Sequence, residues 1–152
     1  MRESSLCYLI KDNCYLMLHR VKKKNDVNHD KWIGIGGGML EGETPTQCAI
    51  RETEEETGYI MHTPIYRGVV HFKSNEAEEE IMHLFTCEHF SGEQIECNEG
   101  NLLWVPIIEV PSLPTWEGDY IFLDLLQQNT TFFTLELIYL GEHLISHNVT
   151  FA

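Results

Sequence analysis

Positive charge is what this chain has least of. Ten lysines and arginines stand against 24 aspartates and glutamates in 152 residues, a net charge of −14. That balance excludes a nucleic-acid polymer or an anionic membrane surface as partner. A phosphorylated small molecule would be repelled too, unless a cation bridges it to the protein. No apolar run approaches the ~18 residues of a membrane-spanning helix. The five cysteines (Cys7, Cys14, Cys48, Cys87 and Cys97) form no C-x-x-C pair. Their odd count, with no recognisable leader, is expected of small buried thiols in a reducing cytoplasm. Repeats, linkers and low-complexity segments are also missing. What remains is one soluble domain, residues 1–152, long enough to bury a substantial core.

The chain is organised around the stretch from Gly37 to Tyr59. Thr44 is a good helix N-cap, Pro45 suits the first helical position, and Gln47 stands where a capping box places its amide. Gly58 can take the left-handed conformation that closes a helix. The spacing predicts a helix over Pro45–Thr57 behind a glycine loop.

On that helix Glu52, Glu55 and Glu56 are spaced i, i+3 and i+4 and share a face. They lie toward its negative C-terminal end, so the helix dipole does nothing to relieve their repulsion. Arg51 is one counter-charge but cannot neutralise three acids. Hard divalent cations, Mg²⁺ or Mn²⁺, are natural partners for clustered carboxylate oxygens. A solvated acidic face is the bland alternative, and the glycine loop and capped helix weigh against it.

The same stretch resembles the signature of the Nudix hydrolases, G-x5-E-x7-R-E-U-x-E-E-x-G-U, with U aliphatic. Gly37, Glu43, Arg51, Glu52, Glu55, Glu56 and Gly58 occupy every fixed position, while Thr53 and Tyr59 stand at the aliphatic ones. Further segments resemble bacterial MutT-like members in the same order. They are Trp32–Gly37, Asn98-Glu99-Gly100 with Leu103-Trp104-Val105, and Trp116-Glu117-Gly118-Asp119.

The resemblance implies an α/β fold, a mixed sheet sandwiched between helices, and hydrolysis of a nucleoside diphosphate linked to a group X. It makes Glu52, Glu55 and Glu56 metal ligands together with the carbonyl of Gly36 or Gly37. Arg51 and Glu43 become supports, and Glu99 a further catalytic or metal-binding acid. The general base is Glu55, Glu56 or Glu99. Trp116 and Asp119 match a Trp-x-x-Asp unit that offers a purine a stacking face and a carboxylate. They have plain structural readings too, as a hinge aromatic and a helix cap. Two departures are Ile33, where related mammalian-type enzymes have an asparagine, and Gly38, where many relatives have a lysine.

The MutT-like segments imply an Mg²⁺-dependent triphosphate pyrophosphohydrolase for 8-oxo-dGTP or a related purine, a nucleotide-pool sanitiser. ADP-ribose, a nucleotide sugar or a dinucleotide are alternative substrates, and a non-catalytic nucleotide sensor is a third reading. The protein would be a monomer or homodimer.

Elsewhere, alternation and turn residues predict strands over 5–10 and 14–21, joined by the turn Lys11-Asp12-Asn13. The polar loop 22–31 holds four of the ten basic residues. It is either solvated or a basic rim for substrate phosphates, with Arg20 and Lys31 the best-placed cations. A short strand follows at 32–36, and Gly36, Gly37 and Gly38 let the backbone approach a ligand closely. Strands are expected over 60–72, 81–90 and 102–106. A second helix, capped by Asp119, should run to about Gln127 with Ile121, Phe122, Leu125 and Leu126 as its apolar stripe. A hairpin of 132–140 and 145–151, turned at Gly141-Glu142, closes the chain.

Overall fold

The computed structural model describes all 152 residues. The chain runs β1 (Arg2–Lys11), β2 (Cys14–His19), β3 (Trp32–Ile33), β4 (Ile35–Gly38), α1 (Pro45–Thr57), β5 (Tyr59–His62), β6 (Ile65–Ser74), β7 (Glu80–Cys87), β8 (His89–Gly92) and β9 (Asn101–Pro106). A 3₁₀ turn at Ile107–Ser112 leads into α2 (Glu117–Gln127), and the hairpin β10 (Phe133–Leu140) and β11 (His143–Phe151) ends the fold.

Nine strands form one mixed sheet in the order β11-β10-β6-β7-β1-β2-β3, with β4 on β1 and β9 on β2. Strand β1 alternates its side chains between two cores, as a strand buried on both faces must. Cys7 and Leu9 pack with Ala49 of α1, Leu16, Phe85 and Cys87. Tyr8 points the other way, into the larger core with Phe122, Leu125 and Leu126 of α2. The helices therefore cover opposite faces, as expected of an α/β/α arrangement.

The sheet forks along β1. Its first half pairs with β4 from Ser4↔Gly38 to Cys7↔Ile35, while its last two residues pair with β2. The glycine loop leaves the sheet opposite Ser4, at the start of β1, and feeds α1, whose Glu52 carboxyl lies against Gly37.

Four expectations need correction. The strand read over 32–36 is two, parted at Gly34 where the chain passes close to the Tyr8 ring, with β3 on β2 and β4 on β1. The strand read over 60–72 is two strands, broken at Thr63, which is left-handed at φ 49, and at Pro64, which has no N–H to give a ladder. The strand read over 81–90 also divides, and β8 turns away to pair with β5 in a separate two-stranded sheet. Asp119 does not cap α2. Trp116 holds the cap position without a side-chain bond to the helix backbone, and Asp119 lies buried in the first turn, where its Oδ2 accepts from Thr115 Oγ1 at 3.1 Å.

Candidate active site

Helix α1 forms where its local chemistry directs. The Gln47 amide N–H donates to Thr44 Oγ1 at 3.1 Å and the Thr44 N–H donates to Gln47 Oε1 at 2.9 Å, a closed capping box. At the other end Gly58 is left-handed at φ 84 and its N–H reaches Glu54 O at 2.9 Å. Cys48, Ala49, Thr53 and Thr57 form the buried face. Glu52 and Glu56 are left at the margin of that face, and Glu55 points to solvent.

Arg51 is the clasp of the loop. Its Nε and Nη2 grip both oxygens of Glu43 at 2.7 and 3.0 Å. Nη2 also donates to Gly38 O at 3.0 Å, and Nη1 to Glu52 at 2.8 Å and Glu55 at 3.2 Å. Glu43 accepts the Leu40 N–H besides. The two-pronged guanidinium bond holds its carboxyl down at about 2. Glu43 and Arg51 therefore fasten the loop to the helix.

Glu56 is the most perturbed acid of the site. Burial first, then the charges of Glu99 and Glu52, raise its pKa to about 9. Its Oε2 is buried with no hydrogen-bond partner. Burial would raise Glu99 as well, but bonds from Lys23 and Glu56 and the charge of Arg20 outweigh it, leaving Glu99 below the usual carboxylate range. Arg20 Nη1 donates to Glu99 Oε2 at 3.0 Å and Lys23 Nζ to Oε1 at 2.9 Å. Two carboxyls in contact, one protonated and one held ionised, share a single proton. Glu99, read from a loop 43 residues beyond Glu56, is thus brought to the helix glutamates.

The glycines differ in need. A Cβ on Gly36 would stand 1.8 Å from Ser5 O, and one on Gly37 would stand 2.5 Å from the carboxyl carbon of Glu52. Gly38 has nothing nearer than an Arg2 nitrogen at 3.5 Å. The first two glycines are fixed by packing against β1 and Glu52, and the third is not.

Arg20 and Lys31 do not stand free as a basic rim. Arg20 is spent on Asp26, at 2.8 Å, and on Glu99. The Lys31 ammonium lies 4.4 Å from the ring centroid of Trp116. Trp116 Nε1 donates to Asn28 Oδ1 at 2.7 Å, so the polar loop folds over the start of α2. Burial lifts Asp119 to about 7, against the pull of Thr115 and Lys31. Lys31, Trp116 and Asp119 thus form a second group, apart from the glutamates.

Sequence reasoning did not identify Lys23, Asp26, Asn28 or Cys48 as parts of these groups. Cys48 Sγ lies 3.2 Å from Ser5 Oγ and 3.5 Å from Gly37 O, locking the loop against β1. Asp26 and Asn28 carry one signal, a two-residue Asx turn in which the Asn28 N–H donates to Asp26 Oδ1 at 3.0 Å.

No three His, Cys, Asp or Glu side chains are gathered closely enough to enclose a metal ion. The donors are nonetheless those a hard divalent cation takes, carboxylate oxygens crowded by like charge, with one buried oxygen of Glu56 unpartnered. The residues fit such an ion once Arg51 releases part of its hold on Glu52 and Glu55.

Comparison with known proteins agrees with this architecture. A model of the NUDIX domain matches residues 2–126. An oxidized purine nucleoside triphosphate hydrolase from Danio rerio is 32% identical over 111 residues, 72% of this chain and 71% of that protein. An uncharacterized Nudix hydrolase from Bacillus subtilis is 29% identical over 127 residues, covering 80% of this chain and 77% of the relative. A mutator MutT protein from Bacillus halodurans superimposes with a TM-score of 0.88 over 98% of this chain and 97% of its own, at 22% identity, a likeness of fold.

Proposed function

The chain belongs to the Nudix hydrolase family, and on that premise we propose that it cleaves a purine nucleoside triphosphate, 8-oxo-dGTP or a related oxidised purine, to the monophosphate and pyrophosphate. The observation that carries this reading is the Glu56–Glu99 pair, a buried carboxyl with a free oxygen beside one held ionised by Arg20 and Lys23.

Glu52, Glu55 and Glu56 would hold Mg²⁺ or Mn²⁺, which would supply positive charge against the pyrophosphate and lower the pKa of an attacking water. Glu99 takes the proton from the attacking water, because Arg20 and Lys23 keep it ionised and aimed. Glu55, exposed and turned to Arg51, is less suited to that task. A phosphorus–oxygen bond forms to water as the bridging oxygen leaves with the pyrophosphate. Arg51 and Glu43 keep the Gly36–Gly38 loop close enough for backbone to meet the phosphates. Trp116 stacks on the base, and Asp119 accepts from a ring N–H. The Danio rerio relative supports the purine.

A second reading keeps the chemistry and changes the substrate to ADP-ribose, a nucleotide sugar or a dinucleotide. Ile33 favours it, since it cannot bond a base edge. The intact glutamates count against a non-catalytic sensor.

The test is pyrophosphate or phosphate-ester release from 8-oxo-dGTP, dGTP, dATP, ADP-ribose and a nucleotide sugar with Mg²⁺, for the wild type and Glu56→Gln. Preference for the oxidised purine, lost in the variant, upholds the proposal. Turnover of ADP-ribose or a sugar nucleotide alone removes the purine reading, and tight Mg²⁺ binding without turnover restores the sensor.

A further inference from the structure

Of the four arginines in this chain, three are fully engaged. Arg20 is bonded to Asp26 and Glu99, and Arg51 to Glu43, Glu52, Glu55 and Gly38 O. Arg67 donates to Thr86 Oγ1 and Leu126 O. The Arg2 guanidinium alone makes no hydrogen bond. Its acid neighbour is Glu80, whose Oε1 stands 3.8 Å from Nη1, beyond bonding reach. The other oxygen of Glu80 accepts from the Ser4 hydroxyl at 2.5 Å. Half of the Arg2 side chain is open to solvent, so five N–H donors are free for an anion in a chain of 24 acids.

This guanidinium lies over the glycine loop. A Cβ on Gly38 would have Arg2 Nη2, Nε and Cζ as its three nearest atoms, at 3.5, 3.6 and 3.9 Å. Neither a left-handed φ nor tight packing demands glycine there. A side chain longer than alanine would collide with Arg2, so the bare Gly38 leaves the space that Arg2 occupies. Many relatives carry lysine at that position, and here a cation reaches the same place from β1.

We propose that Arg2 is a substrate-binding residue that holds the terminal phosphates, those that leave as pyrophosphate. This rests on the triphosphate reading of the site and adds to it a residue outside the glycine–helix signature. The order of groups along the chain carries it. The Trp32 N–H donates to Pro114 O at 2.8 Å, which anchors the start of β3 two residues before Trp116. Six residues after Trp32, β4 ends at Gly38, with Glu52 against Gly37 and Arg2 over Gly38. A nucleotide whose base stacks on Trp116 and whose phosphates cross the glycines brings its last phosphates to Arg2. A planar guanidinium takes two phosphate oxygens at once and sets its charge against the most anionic part of the ligand. Arg51 is not available for that task, because Glu43, Glu52 and Glu55 hold it. The long contact to Glu80 draws Arg2 toward the sheet without occupying its donors.

The experiment measures kcat and KM for 8-oxo-dGTP with Mg²⁺, and the inhibition constants of inorganic pyrophosphate and of 8-oxo-dGMP. The proteins are the wild type, Arg2→Ala and the double variant Arg2→Ala/Gly38→Lys, with melting temperatures of all three. Arg2→Ala should raise KM and the pyrophosphate constant roughly tenfold, the loss of one charge-assisted contact. Its kcat should be nearly unchanged, as when substrate and transition state lose the same contact. The 8-oxo-dGMP constant and the melting temperature should not move, since an exposed, long ion pair contributes little to the fold. The double variant returns a cation to the same place and should recover most of the loss. A pyrophosphate constant unchanged in Arg2→Ala overturns the role of Arg2 while the triphosphate reading stands. Equal weakening of pyrophosphate and 8-oxo-dGMP, or a loss that Gly38→Lys leaves uncorrected, overturns it as well. A wild type that turns over ADP-ribose or a nucleotide sugar but no purine triphosphate removes the reading beneath it.

Discussion

Replacing Glu56 by glutamine exchanges one oxygen for an NH₂ group in a site where charge is the main cost. In the unfolded chain the carboxyl titrates near 4.5, and in the fold its pKa rises to about 9. A carboxyl whose pKa rises on folding favours the folded state at low pH. That advantage is lost progressively as pH rises from about 4.5 to about 9. At pH 7, inside that window, the fold must either keep this carboxyl protonated or bury its charge, a cost of about 1–3 kcal/mol for a buried polar group without a full set of partners. Glutamine carries no charge in either state, and its amide can donate to Glu99. Glu56→Gln should therefore raise stability by up to about 3 kcal/mol at pH 7 without divalent cations, roughly 10 °C in melting temperature for a domain of this size. Unfolding in urea at pH 6, 7, 8 and 9 measures it. The wild type should weaken steadily across that series and the variant should not. Adding Mg²⁺ should stabilise the wild type and leave the variant nearly unmoved. Equal stability and equal pH slopes in the two proteins would refute the reasoning.

Arg51→Ala leaves Glu43 and Glu52 without their guanidinium. It should cost about 2 kcal/mol in urea unfolding and at least a hundredfold in kcat. Alanine scanning of the three glycines separates packing from chemistry. Gly36→Ala should fail to fold or lose about 3 kcal/mol or more, because its Cβ meets Ser5 O at 1.8 Å. Gly37→Ala should stay folded but lose about a hundredfold in turnover by displacing Glu52, whereas Gly38→Ala should match the wild type in both assays. Asp119, raised to about 7 by burial, favours the folded state below about pH 4 and loses that advantage as pH rises through 7. Asp119→Asn should accordingly be the more stable protein at pH 8 and should bind an oxopurine triphosphate more weakly, by equilibrium titration. Chelation of divalent ions should abolish turnover while leaving far-ultraviolet circular dichroism unchanged.

What could be read in advance was local. Helix α1 is delimited by Thr44, Gln47 and Gly58, each acting on backbone within four residues, so its bounds follow from the chain alone. The glutamates follow from helix spacing plus a family signature. The division at Thr63-Pro64 was less visible, because an apolar run reads the same whether it makes one strand or two. The departure of β8 is set by its pairing with β5, some 30 residues earlier in the chain. Asp119 shows how one residue supports two local readings. Aspartate at a helix start suggests a cap, and only the tertiary fold, which buries it with a bond from Thr115, turns it into a buried acid. Likewise Arg20 looks like a free cation until the fold brings Glu99 across 79 residues to meet it.

The last strand has a consequence for handling the protein. Strand β11 ends the large sheet with one flank unpaired, and its nine residues include neither lysine, proline nor any carboxylate to discourage a second copy from docking there. Long-range repulsion from the −14 charge is what holds molecules apart at that flank. Salt shortens the reach of this repulsion to about 8 Å at physiological strength and about 3 Å at 1 M. Shelf life in solution should thus be a property of the buffer: longest in dilute salt well above the isoelectric point, and shortest in brine or mild acid.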